Sequence, residues 1–134
     1  MKAIRLRVEY LSQPLGLGIA KPRFYWNCEG GEKQTAYQIV CKRSGETLWD
    51  SGRVESSAMT HILYEGAPLH SRDRVTWSVG LWDENGNPGD VAESSFELGL
   101  LKKEDWQARW ITGDYKPENP GGIPLRCCPI RAWR

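Results

Sequence analysis

The chain has 134 residues, enough for one domain with a buried core. It carries 18 basic and 17 acidic side chains and a net charge of +1, a near balance that is atypical of proteins that bind nucleic acid or membrane surfaces. Neither partner is therefore expected.

No exported or membrane-spanning segment is predicted. Arg5, Arg7 and Glu9 interrupt the first apolar run, whereas a signal peptide needs a continuous one. No later run reaches the length of a transmembrane helix. The sequence thus predicts a cytoplasmic location.

Apolar and polar side chains alternate along seven segments of the first hundred residues, which is the period of a half-buried β-strand. The first segment alternates Ile4, Leu6, Val8 and Tyr10 with polar neighbours, and we expect these four on its inner face. The other six segments lie near residues 23–28, 37–42, 48–53, 62–64, 75–82 and 94–98.

Turn-forming residues separate these segments. Gly30-Gly31, Ser44-Gly45 and Gly66-Ala67-Pro68 all favour turns, and Asn85-Gly86 is the clearest hairpin signal. Seven short strands with turns every ten or so residues favour an all-β fold, an antiparallel β-sandwich of the immunoglobulin or fibronectin type III kind. We place the sandwich at residues 1–99.

Residues 100–134 differ in composition and are predicted to form a short helical turn and an extended tail that leads toward a further domain. Trp106 and Trp110 are spaced i, i+4, which would place them on one face of a short helix. Three prolines and two glycines between Tyr115 and Pro124 indicate a linker. The role of residues 122–134 is left open.

The four cysteines are expected to be free thiols, because no export signal is seen. A Cys28–Cys41 bridge stays possible if their strands face each other, and the redox state of Cys127 and Cys128 is open. The cysteines and histidines lack metal-ligand spacing, so no metal or cofactor is predicted.

An ordered set of short motifs runs along most of the chain. In its first half these are Pro14-Leu15-Gly16, Pro22-Arg23-Phe24-x-Trp26, Gln34-x-Ala36-Tyr37-Gln38-Ile39 and Leu48-Trp49-Asp50-Ser51-Gly52-x-Val54. Its second half carries Trp77-x-Val79-x-x-Trp82-Asp83-x-x-Gly86, Phe96-Glu97-x-Gly99-Leu100-Leu101 and Asp105-Trp106-x-Ala108-x-Trp110-Ile111. Over roughly residues 5–112 the set resembles the opening of bacterial α-L-rhamnosidases.

The resemblance implies a non-catalytic, N-terminal fibronectin-type-III-like module of a glycoside hydrolase. In that family a further β-sandwich and an (α/α)6 barrel follow, and the barrel performs inverting hydrolysis of terminal α-L-rhamnosides with two carboxylates. The following sandwich and barrel would be the partners of this module. No catalytic residue carries over, so whether this chain counts as an enzyme is open.

One position departs from the fibronectin pattern. Those domains usually have a tyrosine where Val75 stands, whose hydroxyl locks the preceding corner. We expect Leu69 and the Asp73-Arg74 turn to hold this corner instead.

Six of the seven tryptophans divide into two groups. Trp26 and Trp77 share apolar strand faces and are predicted to lie in the core. Four others are candidates for contacts with a sugar or with a neighbouring domain, the second being favoured: Trp49, Trp82, Trp106 and Trp110. Two alternative functions follow, a free-standing module that binds a rhamnose-containing glycan and a sandwich that recruits a protein partner.

The carboxylates do not form a predicted catalytic pair. Asp50, Asp83, Glu84 and Asp105 are candidates, but none has nearby residues that would tune its pKa. Asp83 and Asp105 are better explained as turn and helix-start residues that accept backbone N–H groups. The run from Asp83 to Asn87 resembles a calcium loop only faintly, and a hairpin turn explains it equally well.

Overall fold

Two antiparallel sheets pack face to face in the computed structural model, which describes residues 1–109 and 111. The smaller sheet has strand order β1-β2-β6, and the larger has β4-β3-β7-β8 with β5 also paired to β3. The strands are β1 Lys2–Val8, β2 Arg23–Glu29, β3 Ala36–Arg43, β4 Glu46–Asp50, β5 Val54–Glu55, β6 Ile62–Leu63, β7 Arg74–Trp82 and β8 Ala92–Glu97. The predicted all-β sandwich is confirmed, and β5 is one strand more than the seven expected.

The core follows the predicted alternation most closely in β3 and β7. Cys41 lies between Trp49 of β4 and Trp77 of β7 in the strand register, and Ile39 pairs with Val79. Trp26 and Trp77 are 2% and 1% exposed, which confirms them as core residues. Inward-facing side chains of both sheets thus form one apolar layer.

The predicted inner face of β1 is wrong in part. Arg5 has a φ of 51°, and the pairing register with β2 shifts between Ile4 and Arg7. This bulge reverses the alternation, because an extra residue moves the following side chains to the opposite face. Ala3 and Val8 are consequently both buried, one on each side of the bulge. Tyr10 lies beyond the end of β1 with a φ of 68° and is 55% exposed.

The corner before β7 is held by polar contacts around Asp73, as predicted. The Asp73 carboxylate accepts the backbone N–H of His70 and pairs with Arg43 at 2.7 Å. Leu69 is buried beside it. Tyr64, which the sequence analysis did not single out, adds a similar lock by donating its hydroxyl to the Ala67 carbonyl over 2.7 Å.

The segment predicted to form a short helical turn contains one such turn. A single turn of 3₁₀ helix spans Lys103–Asp105, and Trp106 after it has an extended backbone. Trp110, the predicted linker, and Cys127 and Cys128 lie outside the described residues.

Two further findings bear on the predictions. Cys28 and Cys41 are free thiols in different sheets, and burial raises the pKa of Cys41 to about 12. Among the described residues, no helix is long and apolar enough to cross a bilayer.

Candidate functional site

The Asp50-Ser51-Gly52 motif interrupts one edge of the larger sheet. β4 and β5 both pair with β3, and the motif lies between them. Ser51 bonds to both backbone groups of Ile39, while Asp50 Oδ1 accepts the N–H of Gly52 at 2.9 Å and the Gln38 amide at 2.7 Å. Gly52 permits this break because its φ is 60°.

Trp49 lies at the rim of the core. Its ring stacks on Phe24 with centroids 6.0 Å apart and meets Tyr64 edge-on at 5.4 Å. These contacts fix the orientation of the ring, while the residue stays partly exposed. Packing therefore accounts for part of the Trp49 surface, and the remainder lines a cleft.

This cleft, called here the inter-sheet cleft, opens between the β4–β5 edge of the larger sheet and the β6 edge of the smaller one. Its volume is about 410 Å³. The lining side chains are aromatic, aliphatic and acidic, and comprise Tyr37, Trp49, Asp50, Ser51, Val54, His61, Ile62, Leu63 and Glu65. Chemically varied side chains from four strands, β3 to β6, converge there.

The carboxylates of Asp50 and Asp83 are suited to accepting hydrogen bonds rather than to donating a proton. Bonds from Gln38 and Gly52 lower the pKa of Asp50 below its usual value. Backbone N–H groups of Asn87 and Asn85 likewise lower the pKa of Asp83. A glycosidase general acid needs the opposite shift, so neither group is fitted for that role.

Trp82 lies on the outer face of the larger sheet. The Arg53 guanidinium carbon stands 4.9 Å from the centroid of its ring, in cation–π geometry. A shallow groove of about 230 Å³ runs past Trp82, Gly80 and Val91. Trp49 and Trp82 therefore line two separate clefts.

Asp83 and Asp105 have structural roles. The Asp83 carboxylate accepts the N–H groups of Asn85 and Asn87, both at 2.9 Å, which confirms it as a turn residue. The Asp105 carboxylate accepts the N–H of Lys102 and the Ser71 hydroxyl, so it caps the 3₁₀ turn and ties it to the sandwich. Trp106 beyond it is 56% exposed.

Gln34 is a buried polar centre whose role sequence reasoning missed. Its Oε1 accepts the Trp26 indole N–H at 3.0 Å, and its amide donates to the carbonyls of Ser56 and Ala58. These bonds attach the loop before β6 to the core. The only sequence signal was a glutamine just before a buried strand, which is too common to be informative.

Metal binding has no support within residues 1–109 and 111, where no three His, Cys, Asp or Glu side chains group together. The oxygen-rich run from Asp83 to Asn87 forms the hairpin turn instead.

Residues 3–102 match the family described as Rha78A-like, N-terminal immunoglobulin domain. The chain belongs to this family. It is 39% identical over 124 residues to an α-L-rhamnosidase of Streptomyces avermitilis, covering 84% of this chain and 12% of that protein. An α-L-rhamnosidase of Formosa agariphila is 42% identical over 113 residues, and the match covers 77% of this chain and 12% of that protein.

Solved structures give the same result for this immunoglobulin-like domain. The S. avermitilis α-L-rhamnosidase, complexed with L-rhamnose, superposes with a TM-score of 0.75 at 37% identity, covering 83% of this chain and 12% of that one. The α-L-rhamnosidase of Dictyoglumus thermophilum superposes with a TM-score of 0.73 at 35% sequence identity. The match covers 82% of this chain and 14% of that one. The chain thus spans about an eighth of the length of these relatives, which confirms the predicted family resemblance and the N-terminal position of the match.

Proposed function

We propose that this chain is a non-catalytic accessory module of an α-L-rhamnosidase-type glycoside hydrolase, and that it packs against the sandwich and barrel that follow it. The proposed parent reaction is inverting hydrolysis of terminal α-L-rhamnosides. Its catalytic acid and base would lie outside this chain, since the relatives are about eight times longer than the part matched here.

The observation that carries the proposal is the exposure of apolar side chains where the chain leaves the sandwich. Leu15, Trp106 and Ile111 are 78%, 56% and 94% exposed. Leu15 lies beside the exit because Glu97 donates its N–H to the Pro14 carbonyl and Gly99 donates to that of Leu17. Apolar side chains at such a place favour burial by a neighbouring domain.

A complementation experiment tests the docking. The S. avermitilis enzyme is produced without its matched N-terminal segment, and the 134-residue chain is added as a separate protein. We expect binding with a Kd of about 1–100 µM by biolayer interferometry, because both partners are preformed.

Single variants identify the docking face. Leu15→Asp should weaken binding at least about tenfold, because a charge would be buried at the interface. Leu63→Asp is the matched control, since Leu63 is 43% exposed but lies on β6. Absence of binding at about 100 µM, or equal loss in both variants, contradicts the docking proposal.

Activity of the chain alone is a separate test. The purified protein should release no chromophore from an aryl α-L-rhamnoside, while a full-length rhamnosidase does so in the same assay. Turnover by the isolated chain would contradict a non-catalytic role.

A rhamnose-containing glycan is a second candidate partner, and the observation that favours it is the inter-sheet cleft with Trp49 on its wall. The cytoplasmic location stays a prediction, which fractionation of producing cells would check.

A further inference from the structure

We infer that the inter-sheet cleft binds one pyranose ring of the 6-deoxyhexose class, with a terminal α-L-rhamnosyl residue as its ligand. The choice of rhamnose rests on the proposed function. The capacity to bind a sugar rests on the cleft itself and on the groups that line it.

The size of the cleft fits such a ligand. Its volume of about 410 Å³ lies in the range of roughly 300–1,000 Å³ typical of small-molecule sites. The cleft opens to solvent between two sheet edges, so a sugar that is still attached to a larger glycan could enter it.

Tyr37 contributes a hydroxyl group to the lining of the cleft. The residue is 8% exposed and lines the cleft, and its hydroxyl forms no hydrogen bond within residues 1–109 and 111. Burial and, after it, the negative charge of Glu65 raise its pKa. The phenol therefore keeps its proton at neutral pH and can donate to a sugar oxygen.

Glu65 supplies a carboxylate to the same cleft. It is exposed, and its negative charge acts on the Tyr37 hydroxyl, so the two groups lie near each other. A carboxylate oxygen can accept hydrogen bonds from sugar hydroxyls. The polar groups thus provide one donor and one acceptor.

The apolar lining of the cleft fits the ring face and the methyl group of a 6-deoxy sugar. Trp49 offers an aromatic surface whose orientation is fixed by Phe24 and Tyr64, so little freedom is lost on binding. Val54 and Ile62 line the same cleft. Aliphatic side chains suit the methyl group at C6 and offer no hydrogen bond to a hydroxyl there.

Titration of the 134-residue protein with methyl α-L-rhamnopyranoside tests the site. We expect a Kd of about 0.5–10 mM by calorimetry, with the largest NMR shifts at the Trp49 indole N–H and none at that of Trp82. L-Mannose, which differs from L-rhamnose by a hydroxyl at C6, should bind at least about threefold more weakly.

Variants assign the binding to named groups. Tyr37→Phe keeps the ring and removes the hydroxyl, so it should weaken binding about fivefold to tenfold. Glu65→Gln, at an exposed position that tolerates change, should also weaken it. Glu93→Gln is the matched control, because Glu93 is exposed on β8, away from the cleft.

Three results would overturn the inference: no heat and no shift up to about 50 mM rhamnoside, shifts centred on Trp82, or unchanged affinity in both cleft variants. Circular dichroism of each variant verifies its folding. None of these results affects the docking test, which measures a protein interface at the chain exit, so the two proposals can fail independently.

Discussion

Ser51 engages both backbone groups of Ile39. Its N–H donates to the Ile39 carbonyl and its Oγ accepts the Ile39 N–H, each over 2.9 Å. Because β4 ends at Asp50 and β5 begins at Val54, the hydroxyl continues the sheet pairing where the edge strand is broken. The break also places Trp49 and Asp50 on the wall of the inter-sheet cleft.

Replacing Ser51 tests this relationship. Ser51→Ala leaves the N–H of the fully buried Ile39 without its acceptor, so we expect a loss of about 1–3 kcal/mol in the free energy of unfolding. Urea denaturation measures it, with the exposed Ser57→Ala as control. A loss no greater than that of the control would show that water replaces the hydroxyl at no cost.

Removing the amide of Gln34 should be at least as costly. Gln34→Leu leaves the Trp26 indole N–H and the carbonyls of Ser56 and Ala58 without this partner. We expect a loss of about 2–4 kcal/mol in unfolding free energy and faster hydrogen exchange in the loop before β6. Gln107→Leu, at an exposed position, is the control; protected exchange in the variant loop would contradict the role assigned to Gln34.

Asp73 should make stability depend on acidic pH. Burial raises its pKa, but the His70 N–H and the Arg43 guanidinium outweigh this effect and hold the pKa below its ordinary value. The folded protein therefore binds this proton more weakly than the unfolded chain does. The contribution to stability is present above the unfolded pKa of about 3.9 and is lost as pH falls through the folded value.

Unfolding free energies of wild type and Asp73→Asn at several pH values between 7 and 2 measure this contribution. We expect the variant to be less stable by about 1–3 kcal/mol at pH 7, with the difference shrinking toward pH 2. Glu93→Gln serves as control. A difference that stays constant across this range would rule out the ionised carboxylate as its source.

Two tryptophans of β7 should differ sharply in their effect on stability. Trp77→Ala removes a ring that is 1% exposed and should cost about 3–5 kcal/mol. Trp82→Ala removes a partly exposed ring and its contact with Arg53, for an expected cost of about 1 kcal/mol or less. Equal losses in thermal or urea denaturation would mean that Trp82 also belongs to the core.

Local sequence patterns predicted which side chains of β3 and β7 face the core. Apolar and polar residues alternate without interruption in these strands, and successive side chains of a strand point to opposite faces. The same reasoning assigned Trp26 and Trp77 to the core and Asp83 to a turn. It was wrong in part for β1, since nothing in the sequence around Arg5 reveals a bulge that depends on pairing with β2.

The sequence by itself determined the sandwich, its turns and its family, because periodicity and ordered motifs are properties of neighbouring residues. The tertiary structure alone decided that Tyr37, Asp50 and Glu65 line one cleft and that Gln34 bonds to a loop more than twenty residues away. Such contacts depend on which strand edges lie side by side, and strand order and register are set by the packing of the whole core.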